Sequence, residues 1–100
     1  MIIYNVTVKI DHEVHEDWLN WMQQVHIPDV MKTGMFSEQR MLKVLDGMTD
    51  GNTYAIQYTC KDMATLDEYQ EKHAPALQAD HTARYKDKFV AFRTLLETVD

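Results

Sequence analysis

An α+β fold is predicted by three observations. Residues 2–10 and 53–60 alternate apolar with polar side chains, as strands do. Two stretches near 12–33 and 62–85 carry apolar residues at helical spacing. A His-x-Pro phrase, V-H-I-P-D-V and then K-H-A-P-A-L, recurs 47 positions on, each time late in a helical stretch. Together they give the order βαββαβ. Right-handed crossovers then build a ferredoxin-like unit, a four-stranded antiparallel sheet with two helices on one face.

The elements follow in order. In the first strand Ile2, Tyr4, Val6, Val8 and Ile10 point one way; Ile3, Asn5, Thr7 and Lys9 point the other. Asp11 is placed to cap a helix, and Glu13, Glu16 and Asp17 suit the positive end of its dipole. That helix runs through DWLNWMQQVHIPDVMK and stops at Gly34. Residues 35–45 read as the second strand, and DGMTDGN reads as a hairpin loop. The third strand, TYAIQYTC, sets Tyr54, Ile56, Tyr58 and Cys60 against Ala55, Gln57 and Thr59. The second helix starts at Asp62 or Thr65, and YKDK turns the chain into FVAFRTLLETV. In this last strand Phe89, Ala91, Arg93 and Leu95 are placed on the open face of the sheet, beside Asn5, Thr7 and Gln57.

A shift of 47 lays Leu19 on Leu66, Met22 on Tyr69, His26 on His73 and Val30 on Leu77. Each set falls within about 80° of arc at about 100° per residue. Both histidines therefore lie on the sheet-facing seam of their helix. Each proline removes one backbone bond and kinks its helix next to the histidine. The two helices run antiparallel, so His26 and His73 are not expected to meet.

The 100 residues suit one domain spanning 1–100. A formal net charge of −6 and the lack of a basic stripe argue against nucleic acid and against an anionic membrane. The N-terminal strand has no signal-peptide or membrane-span pattern. One cysteine, Cys60, rules out an intrachain disulfide and fits the cytoplasm. No spaced ligand set for a metal appears, and no glycine-rich phosphate loop, so neither metal nor cofactor is expected. His12 and His15 read as a solvated first turn. Cys60, on the helix-facing side of its strand, reads as inert core. Asp80 and Arg84 read as a helix-surface pair.

Two groups remain as site candidates. His26 either is a neutral core imidazole bonded to a backbone carbonyl, or faces a pocket walled by Trp18, Trp21 and Met22. In the pocket reading it acts as a general base or binds a ligand. Asn5, Gln57 and Arg93 form a polar group on the open sheet face, for either a dimer interface or a ligand site.

The phrases WLNWMQQVHIPDVMKTGMF, YQEKHAPALQADHTARY and KFVAFRTLLE resemble those of a family of short bacterial proteins known as a domain of unknown function. The resemblance covers nearly the whole chain. It implies the dimeric α/β-barrel superfamily, a homodimer formed through the open sheet face. Trp18, His26, Pro28 and Gly34 also resemble the W…H-x-P…G pattern of EthD-like members. Haem-degrading members and cofactor-free monooxygenases of that superfamily use an Asn–Trp–His set. Asn5 and His73 match two of those places, while Leu66 and Tyr69 stand where the tryptophan would be; Trp21 is the substitute from the first helix. Three functions follow as expectations. The first is a homodimer that binds a small molecule. The second is a cofactor-independent monooxygenase- or isomerase-like enzyme acting on a small carbonyl or aromatic compound, with His26 as base. The third is a structural or interaction dimer without ligand.

Overall fold

A computed structural model describes residues 1–45 and 52–99. The strands are β1 (Ile2–Ile10), β2 (Glu38–Lys43), β3 (Thr53–Cys60) and β4 (Phe89–Glu97). They form one antiparallel sheet in the order β2-β3-β1-β4. This is the ferredoxin-like α+β arrangement. The DGMTDGN hairpin loop lies, except for Asn52, outside the described residues.

The first helical run is segmented. A single 3-10 turn, His12–Val14, leads into α1 (His15–Trp21); a π-helical turn, Met22–His26, follows; then comes α2 (Ile27–Lys32). The Ile27 N–H reaches back five residues to the Met22 carbonyl. Pro28 stands in the first turn of α2, where its missing N–H costs least. Gly34 ends the run with φ +77°, a conformation that a Cβ would disfavour. Asp11 stands before the run, but its side chain caps nothing.

The second run breaks rather than widens. α3 (Met63–Lys72) ends at His73, whose φ of −119° is not helical, and α4 (Ala74–Arg84) starts anew with Pro75 in its first turn. Asp62 caps α3: its Oδ1 accepts from the Thr65 N–H at 2.9 Å and the Thr65 hydroxyl at 2.7 Å.

The core lies between sheet and helices. Tyr4, Val8, Ile10, Ile56, Tyr58 and Cys60 pack from the sheet against Trp18, Met22, Val30, Leu66 and Tyr69 from the helices. The seam residues expected from the 47-residue shift are buried or partly buried on this side. β2 is shorter than the 35–45 expected, because Phe36 leaves the strand path and is buried against Tyr4, Tyr58 and Tyr69.

One strand face is corrected. Val6 pairs with Arg93, Val8 with Ala91 and Ile10 with Phe89. Directly opposed residues share a face. Phe89, Ala91, Arg93 and Leu95 therefore point to the helix side, and Val90, Phe92, Thr94 and Leu96 join Asn5, Thr7 and Gln57 on the open face.

Candidate functional site

A cavity of about 260 Å³ lies between the helices and the β1–β4 part of the sheet. Its apolar floor comes from Val6, Val8 and Ile56. Met22, His26 and Val30 close it from the first helical run, and Leu77, Gln78 and His81 from α4. Tyr4, Tyr58, Tyr69 and Arg93 mark a second, more polar part of the wall.

The π turn is what presents His26. It ends at this residue, so the extra residue in the wider ring offsets His26 from a regular helix just before Pro28. One face of the imidazole stacks on Trp21 at 5.1 Å between ring centres. Its edge meets His81 at 5.7 Å. No described residue makes a hydrogen bond to His26, so it is not a carbonyl-bonded core histidine. Burial lowers its pKa, opposed by the carboxylates of Asp29 and Asp80.

His81 is held more firmly. Trp18, with no exposed surface, donates its indole N–H to His81 Nε2 at 2.9 Å. An indole nitrogen only donates, so Nε2 must accept. The neutral ring then carries its proton on Nδ1. Burial, with the nearby charges of His26 and Arg93, pushes the His81 pKa down to about 4. Near neutral pH the cavity wall thus holds two uncharged imidazoles. His26 has an available lone pair, and His81 has a fixed N–H donor. Phe89 meets the edge of His81 at 4.4 Å and keeps that side apolar.

At the polar part, Arg93 Nε donates to the Tyr4 hydroxyl at 3.1 Å. Burial raises the pKa of Tyr58 and Tyr69, so both remain phenols. On the outer side a latch ties α1 to the end of α4. Tyr85 donates to Asp17 at 2.7 Å, Arg84 pairs with Asp17 at 3.4 Å, and the guanidinium lies 5.5 Å from the Trp21 ring centre. Arg84 therefore pairs across helices with Asp17, where the sequence suggested Asp80.

The expected site residues divide. His26 and Arg93 line the cavity, with Trp21 behind His26 and Trp18 behind His81. Asn5 and Gln57 face each other on the opposite side of the sheet, where Asn5 donates to Thr7 at 3.0 Å. Arg93 does not join them, since register turns it toward the helices. His73 is outside the cavity, stacked on Tyr69 at 6.2 Å. Cys60 is buried, and burial pushes its thiol pKa up. Among the described residues no group of three His, Cys, Asp or Glu side chains is placed to hold a metal ion. His81 was the residue that sequence reasoning missed. Leu77, His81 and Tyr85 recur every four positions, which continues the buried seam of α4 and was the available signal.

A family model described as a domain of unknown function, DUF4286, matches residues 1–99. The chain belongs to this family. No curated protein matches it. Among solved structures, a dimeric ferredoxin-like protein from an uncultured marine organism is similar at 12% identity and a TM-score of 0.73, over 99% of this chain and 94% of that one. SnoaB, a cofactor-independent oxygenase from Streptomyces nogalater, is similar at 12% identity and 0.72, over 99% and 94%. An EthD-family protein from Bacillus halodurans is similar at 10% identity and 0.68, over 99% and 100%. At these identities the likeness shows the fold, that of the ferredoxin-like dimeric α/β-barrel type.

Proposed function

We propose that the chain is a homodimeric α/β barrel that binds a small organic molecule in the cavity between its helices and sheet. The reading rests on one observation: His26 lines that cavity with no hydrogen-bond partner among the described residues, 5.7 Å from His81, which Trp18 holds in one tautomer. A merely structural polar pair would be satisfied internally. The cavity lies just under the size of common ligand pockets, so the ligand is smaller than a drug-sized molecule. His26 and Arg93 touch the ligand; Trp18 and Trp21 position the two imidazoles.

The dimer forms through the open sheet face. Val90 and Phe92 are 67% and 62% exposed there, and Leu96 is 40% exposed, which is costly for a free surface. Asn5 and Gln57 set the register of that interface instead of touching the ligand. The dimeric neighbour from the marine organism supports this assembly. A cytoplasmic home fits the single cysteine, Cys60, which is free and buried.

A second reading follows from the unpaired imidazole. His26, neutral and stacked on Trp21, has the properties of a general base for a cofactor-independent reaction on a small carbonyl or aromatic compound. The cofactor-independent oxygenase among the structural neighbours makes that class worth assaying first.

Native mass spectrometry of the purified dimer, with a fragment screen read by amide NMR, tests the binding reading. Fragments are expected to shift the signals of His26, His81 and Tyr4. Fragments that shift only open-face residues, or none at all, would overturn it. For the enzymatic reading, oxygen uptake or isomer formation is compared between the parent chain and His26→Ala, and unchanged turnover would sink it.

A further inference from the structure

Arg93 carries information about the ligand that the histidines do not. Its Nε is already bonded to the Tyr4 hydroxyl, which fixes the direction of the guanidinium at the cavity. Its two terminal nitrogens make no hydrogen bond to any described residue. No carboxylate of the described residues pairs with it either; the ion pairs among those residues are Asp17 with Arg84, Asp29 with Lys32 and Glu13 with Lys88. Arg93 therefore brings to the cavity wall two terminal nitrogens that no described residue occupies, the fork that a carboxylate takes.

The surroundings complete the picture. The hydroxyls of Tyr58 and Tyr69 belong to the same wall as Tyr4 and make no hydrogen bond to a described residue. None of their oxygens is sealed off as an unsatisfied buried atom, so they are open to the cavity. Burial keeps these phenols protonated, as donors rather than competing anions. The rest of the lining is mostly apolar and carries no further charged group; Gln78, Thr82 and the two uncharged imidazoles are its other polar side chains.

Resting on the small-molecule reading above, we propose that the ligand is a monoanionic organic acid, its carboxylate held by Arg93 and the tyrosine hydroxyls and its apolar body lying over Val6, Val8 and Ile56. One guanidinium matches one negative charge and takes a carboxylate in a two-bond fork. A phosphate would bring nearly two charges to a single cation, in a protein whose net charge is already −6. A neutral amide offers the guanidinium a single carbonyl acceptor and no charge, so it forgoes the two-bond fork. The opposite end of the acid then approaches His26 and His81.

The test uses matched probes on the 100-residue chain: benzoate against benzamide, and indole-3-acetate against indole-3-acetamide, titrated by amide NMR. Each acid is expected to bind about ten- to a hundred-fold more tightly than its amide, with shifts at Tyr4, Tyr69 and His26. R93Q should erase that preference, and R93K should restore part of it by keeping the charge. Arg93 is exposed on an edge strand, and the NMR spectrum itself reports whether each variant is folded. If acid and amide bind equally at the cavity, or R93Q keeps the preference, the anion assignment is wrong and the small-molecule reading stands. If no probe perturbs cavity residues of the parent chain, both readings fall.

Discussion

His26 and His73 occupy matching positions in two halves of one fold, each two residues before a proline, and only His26 lines the cavity. The backbone takes opposite solutions at the two prolines. In the first half the helix widens into a π turn and carries straight on into α2, so His26 is pushed out beside Trp21. In the second half the helix stops at His73 and restarts, which lays the imidazole along Tyr69. Side-chain volume reinforces the difference. Phe36 fills the space against Tyr69, with 4.7 Å between ring centres. On the His26 side the wall stays open between α4 and β4. A repeated phrase therefore encodes a repeated position, and the packing around it decides whether that position is used.

The largest effect expected in breaking this asymmetry is at Trp18. Trp18→Ala removes the fully buried anchor of the first run and should cost about 3–5 kcal/mol, read by urea unfolding. Trp18→Phe keeps most of the volume but strands His81 Nε2, for about 1–3 kcal/mol. A loss below that range would mean that the indole bond does not hold the pair.

Acid should act on the same side. His81 has a pKa of about 4 in the folded protein against an ordinary value of 6.5. The unfolded chain therefore binds the proton more readily, and folding stability falls as pH drops from about 6.5 toward 4. The full difference is worth about 3 kcal/mol, all of it present above pH 6.5. Unfolding midpoints for the parent and His81→Phe across that window check this; the variant should lose most of that slope. An unchanged slope would place the acid sensitivity elsewhere.

A smaller effect separates the two histidines themselves. His26→Ala should weaken acid-probe binding at the cavity while costing about 1 kcal/mol or less, since no hydrogen bond to a described residue is lost. His73→Ala should cost about as much and leave probe binding unchanged. Equal losses of binding in both variants would erase the asymmetry.

The smallest effect is at the prolines. Each stands in the first turn of its helix, so Pro28→Ala and Pro75→Ala should change stability by less than about 1 kcal/mol. Chemical shifts near His26 sharpen the point: only Pro28→Ala should move them.

Much of this was legible in the chain. The faces of β1 and β3 could be read because each has polar residues on one side only, from Asn5 and Thr7 to Gln57 and Thr59. The matching seams of the two helices followed from a spacing that needs no tertiary information. β4 could not be read in the same way. Phe89, Ala91 and Leu95 alternate with Val90, Phe92 and Leu96, so both faces are apolar and the pattern does not choose between them. The assignment of Arg93 to the open face failed for that reason. His81 stayed hidden because its partners, Trp18 and His26, lie on the other helical run.

The sequence by itself determined the element order, the antiparallel ferredoxin-like layout, the inward seams and the equivalence of the two His-x-Pro phrases. These are local or periodic properties, set by side-chain alternation, helical spacing and backbone breakers. Tertiary structure alone decided three things: which face of β4 carries Arg93, which imidazole meets His81, and which of the two matching histidines is left beside open space. Each depends on register between strands or contact between helices, where one residue of slip turns a side chain to the opposite face.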